Sequence, residues 1–255
     1  MKNRTGRNLI RYVVWFLVLV LVIIISGYLS WSEGRMPSTT EYFTADSGKR
    51  AESLLTTNSE GDRRSPGEFG YTIEEIPNFL SQEECNRIIA LSVNNLSQSK
   101  LFKEKDTEDL NVRRSKQAWL TDQTDPILLA ISERIAQRTQ TNITDQESYQ
   151  VVKYDKDGFY KPHFDACDLK RSNDCERMNR GKGPRYITFL MYLNDDFEGG
   201  GTFFPELNQT VKPETGKAVI FYNVDVDGYV LPKSRHGGLE VDGEKWIANK
   251  WIHRK

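Results

Sequence analysis

Histidine and cysteine are scarce in this chain, with three of each among 255 residues. Three cysteines make no disulfide scaffold. Three histidines, His163, His236 and His253, leave few imidazoles for any metal site. Net charge is also nearly absent: 35 Lys and Arg stand against 36 Asp and Glu, for a formal charge of -1. That balance offers no electrostatic footprint for nucleic acid. The length allows one sizeable catalytic domain with appendages.

What is present first is a long apolar run. Residues 12–29, YVVWFLVLVLVIIISGYL, carry no charge. The run is long enough to span a membrane and long for the core of a cleaved signal peptide, which is the alternative. Lys2, Arg4, Arg7 and Arg11 precede it, whereas only Glu33 and Arg35 follow closely. The positive-inside rule then keeps residues 1–11 in the cytosol. Residues 12–30 become a signal anchor, and the rest of a single-pass type II protein lies in the lumen of the endoplasmic reticulum or Golgi. Residues 31–70, rich in Ser, Thr, Gly, Glu and Arg, read as a flexible stem. Three glycosylation sequons, beginning at Asn95, Asn142 and Asn208, are compatible with a lumenal domain. In that compartment Cys167 and Cys175, eight residues apart, could close a small loop. Cys85 reads as a buried small hydrophobe on a helix.

The folded domain occupies 71–255. Residues 71–76 alternate weakly, as a strand does. Ser81 followed three residues later by Glu84 is a capping box for a helix bearing Ile88, Ile89 and Leu91. Asp125-Pro126 starts a second helix, with Ile127, Leu128, Ile131 and Ile135 on one stripe. The charged segment 101–114 between them reads as a loop. From Tyr149 the character turns to short strands: 149–154, 159–164 after the Asp157-Gly158 turn, 185–193, 202–205 after three glycines, and 218–222. A hairpin at 241–244 leads into the last strand, 245–252. Helices followed by many short strands predict an α+β domain built on a two-sheet antiparallel roll.

The chemistry centres on Lys161-Pro162-His163-Phe164-Asp165. Residues two apart on a strand share a face. With one further imidazole from a neighbouring strand, a histidine and an aspartate make the two-histidine, one-carboxylate set that suits non-haem Fe(II). A bare His-x-Asp is common by chance, and two unrelated polar residues on a strand are the plainer reading.

The surrounding segments add to this. NFLSQEEC, ESYQVVKYDKDGFYKPHFD, RYITFLMYLNDDFEGGGTFFPE, GKAVIFYN and RHGGLEVDGEKWIANKWIH occur in that order over about two-thirds of the chain. Together they resemble the prolyl 4-hydroxylase family of Fe(II)- and 2-oxoglutarate-dependent dioxygenases. The resemblance implies a double-stranded β-helix, or jelly-roll, core buttressed by the N-terminal helices. It implies that His163, Asp165 and His236 ligate iron, and that Lys245, Tyr154 and Thr202 bind 2-oxoglutarate. Arg185, Trp251 and His253 match positions near a peptide groove. O2 is the second co-substrate, ascorbate supports turnover, and succinate and CO2 are released. The implied substrates are proline-rich or collagen-like chains, whose extended shape suits a long groove. The resemblance implies that the polar insertion 166–184 lies near the substrate entrance; its composition reads as a lid, which Cys167 and Cys175 could staple.

Each residue also has a plainer reading. Lys245 reads as a solvated strand lysine, Tyr154 and Trp251 as core aromatics, His253 as a surface residue and Thr202 as turn chemistry. Two departures from the family stand out. Gly201 replaces a glutamate before Thr202, and the interval from His236 to Lys245 is one residue short. The function implied is peptidyl-proline 4-hydroxylation in the secretory pathway. The alternatives are a related hydroxylase of another residue and a non-catalytic peptide-binding module.

Overall fold

The computed structural model describes residues 71–101, 107–167, 174–179 and 181–254. The tail, apolar span and stem assigned to 1–70 lie outside the described residues. Among the described residues no helix is long and apolar enough to cross a membrane.

The chain begins with strand β1 (Glu74–Ile76) and helix α1 (Gln82–Ser92). Strands β2 (Ser97–Gln98), β3 (Arg113–Arg114) and β4 (Lys116–Leu120) follow, then helix α2 (Pro126–Thr139). Next come β5 (Tyr149–Tyr154), β6 (Phe159–His163), the short helix α3 (Asp174–Asn179) and β7 (Arg185–Tyr192). The remaining strands are β8 (Glu198–Gly199), β9 (Thr202–Phe204), β10 (Gln209–Val211) and β11 (Ala218–Tyr222). They continue with β12 (His236–Gly238), β13 (Val241–Asp242) and β14 (Lys245–His253).

Both helix starts form as their sequences predict. Ser81 Oγ accepts from the Glu84 N–H, and the Glu84 carboxylate accepts from the Ser81 N–H. Asp125 caps α2 by accepting from the Ile127 N–H, with Pro126 in the first turn. Each cap satisfies N–H groups that the helix itself leaves unpaired.

The strands form a seven-stranded sheet in the order β1-β11-β7-β14-β5-β4-β2 and a five-stranded sheet in the order β10-β9-β12-β6-β3. All their pairings are antiparallel. Side-chain alternation divides the core in two. Phe189 and Met191 of β7 and Ala248 and Ile252 of β14 pack with Ile88, Leu128, Ile131 and Ile135 of the helices. Leu190 and Tyr192 of β7 and Ile247 of β14 pack with Phe204 and Val211 of the smaller sheet. The result is a β-rich, jelly-roll-like domain with helices on one face of its larger sheet.

Two local expectations change, one strand is unforeseen, and the pairing of Cys167 with Cys175 is met. Within 101–114, residues 102–106 are not described, but Arg113 and Arg114 are a strand and pair with β6. Strand β4 carries no strong period in sequence, yet Ala118 and Leu120 bury one of its faces. The turn at 241–244 does not form a hairpin: β13 pairs with β8, and β14 pairs with β5 and β7. Gly243, at φ 138, reverses the chain between two different sheets. Finally, the polar insertion contains α3, and Cys167 and Cys175 form a disulfide whose loop includes residues 168–173, outside the described set. Cys85 is fully buried on α1, as expected.

Candidate active site

The site lies between the two sheets. His163 ends β6, and His236 begins β12 directly opposite it in register. Asp165 is two residues beyond the end of β6, so it does not share a strand face with His163 as the spacing suggests. The chain bends there and brings the carboxylate in by another route. His163 Nε2 lies 3.5 Å from one Asp165 oxygen, and His236 Nε2 lies 3.6 Å from the other. One donor atom from each residue falls within 4.8 Å of the others.

The opposite side of each ring fixes its orientation. His163 Nδ1 meets the Lys161 carbonyl at 2.9 Å, and His236 Nδ1 meets the Ser234 carbonyl at 2.9 Å. A carbonyl only accepts, so each Nδ1 carries the hydrogen and each Nε2 presents a lone pair to the shared centre. Thr188 donates to Asp165 Oδ2 at 2.8 Å, and Asn223 in turn donates to Thr188. Burial pushes the His236 imidazole down to about 4, against the pull of Asp165. Burial raises the Asp165 carboxyl, but the facing His236 and His163 rings outweigh it and hold the group far below the usual carboxylate range. A neutral imidazole and an ionised carboxylate are the forms that bind a metal.

Lys245 lines the same cavity, of about 380 Å³, as the three donors. It is 2% exposed, and its Nζ donates to the Gly200 carbonyl at 2.5 Å. The rings of Tyr154 and Tyr192 flank it, with centroids at 5.1 and 5.5 Å. No carboxylate pairs with it among the described residues, and burial pushes its ammonium down to about 7. The short interval from His236 does not turn Lys245 away, because it pairs in register with Tyr154 and faces the same cavity. Thr202, also in the wall, shares a 2.6 Å hydrogen bond with Tyr192. The glycine at 201 has a packing reason. A Cβ there would sit 2.6 Å from Thr210 Cγ2 and 3.2 Å from the Val211 carbonyl oxygen, so a side chain fits only if Thr210 gives way.

The third group forms one wall. Arg185 stacks on Trp251, with its guanidinium carbon 3.7 Å from the ring centroid. It also donates to the Asp165 main-chain carbonyl at 3.3 Å. His253 is 4% exposed, so it is not a surface residue, but it does not line the cavity. It stands behind Arg185, joined through Glu147. Glu147 accepts from Arg185 at 2.5 and 3.0 Å, and its Oε1 meets His253 Nε2 at 3.0 Å. Burial raises the Glu147 carboxyl, but hydrogen bonding from His253 and the Arg185 charge bring it down to about 2.

The chain as a whole has counterparts among known proteins. Residues 149–253 match the 2OG-Fe(II) oxygenase superfamily. Prolyl 4-hydroxylase 1 of Arabidopsis thaliana is 38% identical over 195 residues, covering 69% of this chain and 67% of that one. The chain belongs to the prolyl 4-hydroxylase family. Prolyl 4-hydroxylase subunit alpha-1 of Bos taurus is 36% identical over 151 residues, which cover 59% of this chain but 28% of that subunit. Among solved structures, the viral collagen prolyl hydroxylase of Paramecium Bursaria Chlorella virus-1, as its 2OG complex, superposes with a TM-score of 0.58. It is 28% identical and covers 73% of this chain and 98% of its own.

As a member of this family the protein is a 2-oxoglutarate-dependent dioxygenase that uses Fe(II) and O2. The residues present fit those groups. Two oriented imidazoles and a carboxylate suit Fe(II) and cap only one side of it. A buried ammonium with no counter-ion among the described residues suits the far carboxylate of a dicarboxylic acid. The sequence reading overlooked Glu147, which holds Arg185 and His253 in place. It also overlooked Tyr160, stacked 3.6 Å from His163, and Arg113, 4.6 Å over Tyr160. A carboxylate just ahead of the apolar run Tyr149–Tyr154 was the available signal for Glu147.

Proposed function

We propose that this protein is a peptidyl-proline 4-hydroxylase of the secretory pathway, acting on proline-rich or collagen-like chains. One observation carries the reading. The His163, Asp165 and His236 donors converge on a cavity that is also lined by Lys245, a buried lysine with no carboxylate partner among the described residues. In this reading the three donors hold Fe(II), and Lys245 with Tyr154 and Thr202 holds 2-oxoglutarate. Bound there, Fe(II) would couple oxidative decarboxylation of 2-oxoglutarate by O2, to succinate and CO2, with insertion of one oxygen atom into a substrate C–H bond. The protein's own residues bind and orient the partners. Thr188 fixes the carboxylate plane of Asp165. The Arg185–Trp251 stack presents a flat, cationic wall to an extended peptide, and the family membership of the chain favours proline as the residue modified.

The compartment rests on three further features. The apolar run at 12–29 precedes the domain. Asn95, Asn142 and Asn208 of the three sequons are all exposed. Cys167 and Cys175 are joined, which an oxidising lumen permits.

The test is succinate formation from 2-oxoglutarate by the full chain with Fe(II) and ascorbate, with and without a proline-rich peptide. A His236→Ala variant is the control. Peptide-stimulated turnover, lost in the control, with one added oxygen mapped to proline, is the expected result. Turnover that leaves the peptide unmodified would overturn the proline assignment. A band shift after endoglycosidase treatment of the cell-derived protein checks the compartment.

A further inference from the structure

Lys250 takes no part in the chemistry above, yet it is 0% exposed. A buried ion pair is often no more stabilising than apolar side chains of the same size. What its ammonium touches is therefore informative. It has three N–H donors and three partners. Asp122 Oδ1 accepts at 2.6 Å, the Glu147 main-chain carbonyl accepts at 2.7 Å, and the Tyr149 ring centroid lies at 4.3 Å. Asp122 is itself held, because its Oδ1 also accepts from Ser132 of α2 at 2.9 Å. The Ser132 oxygen in turn meets the Tyr149 hydroxyl at 2.7 Å. The network runs from the helix layer to residue 147.

Residue 147 is where it meets the site. The Glu147 N–H donates to the Trp251 carbonyl at 2.8 Å, so neighbouring residues of β14 grip this residue at both its N–H and its C=O. From that fixed backbone the carboxylate reaches Arg185 and His253. We propose that Lys250, held by Asp122, is a positioning residue. It pins the main chain at Glu147 so that the carboxylate sets Arg185 against Trp251 on the peptide-facing wall. What that wall binds rests on the hydroxylase reading; the positioning itself does not. An apolar side chain at 250 would leave the Glu147 carbonyl without this donor and the main chain that carries the carboxylate held at its N–H alone.

The test is the double variant Asp122→Asn/Lys250→Met in the full chain. Removing both charges together strands neither of them, so the fold is expected to survive. With only three histidines, ring NMR of the metal-free protein reads each one. The His253 resonances are expected to shift or broaden, while those of His163 and His236 stay in place. The KM for a proline-rich peptide is expected to rise about tenfold, with the KM for 2-oxoglutarate unchanged. Lys250→Arg, which keeps the charge and a donor, is expected to read as the unaltered protein in both. Unmoved His253 resonances in the folded double variant, a parallel rise of both KM values, or a Lys250→Arg variant that behaves like the double one would each overturn the proposal. If the unaltered chain oxidises no proline peptide, the hydroxylase reading fails, and the His253 resonances alone decide the positioning role.

Discussion

The larger sheet buries a lysine on each of its two faces, and both come from β14. Lys245 and Lys250 are five residues apart, so strand alternation sends them to opposite sides. On the helix side, Lys250 has a carboxylate, a carbonyl and an aromatic face. On the cavity side, Lys245 has one carbonyl and two rings but no carboxylate among the described residues. Burial is nearly the same, but the list of partners is not. A buried charge whose partners are all protein groups belongs to the architecture. A buried charge left without a counter-ion marks the place of a ligand.

The strongest way to break this comparison is Lys245→Met. Its 2-oxoglutarate affinity is expected to fall about a hundredfold or more, because the carboxylate would be buried without its cation. Calorimetric titration reads the change, and unaltered affinity would place the carboxylate elsewhere. The same substitution is expected to leave the thermal midpoint unchanged or higher. Lys250→Met should do the opposite to stability, costing about 3 kcal/mol in urea titration, because it strands the Asp122 carboxylate. Equal stability would mean that Asp122 finds another donor.

A pH series sharpens the contrast. With the Lys245 ammonium at about 7 in the folded chain and an ordinary value of 10.5, the unfolded chain holds the extra proton between those values. Stability of the 2-oxoglutarate-free protein is therefore expected to rise with pH across that window, the full penalty being present below it. Co-substrate binding favours the ammonium, so 2-oxoglutarate affinity is expected to weaken as pH climbs above about 7. Lys245→Met removes both slopes. The smallest effect belongs wholly to the helix side. Ser81→Ala removes one arm of the α1 capping box and is expected to cost about 1 kcal/mol in chemical denaturation. Succinate formation should not change.

Much of the fold was legible because local signals were strong. The two helix caps, the strand at Tyr149–Tyr154 and the central strand at Arg185–Tyr192 follow from side-chain chemistry within a few residues. Strand β4 and the pairing of Arg113 with Tyr160 were not legible, since distant partners stabilise them. In the site, His163, Asp165 and His236 could be named only through the resemblance, since His-x-Asp by itself is too common, and the structure brings the three together. Asp165 joins them even though it lies off the strand, because three side chains need only converge, not alternate. Glu147 was missed because its partners, Arg185 and His253, are 38 and 106 residues away.

The sequence by itself determined which residue types were available: two imidazoles and a carboxylate for a metal, a lysine ahead of the last apolar strand, and caps for two helices. Only the tertiary structure decided what each became. Period-two alternation assigns Lys245 and Lys250 to opposite faces, but it does not say which face holds an acid. That depends on where the turn bearing Asp122 packs, and contacts across 128 residues fix it. Free energy of burial is a property of the finished neighbourhood, so two lysines on one strand can serve different ends.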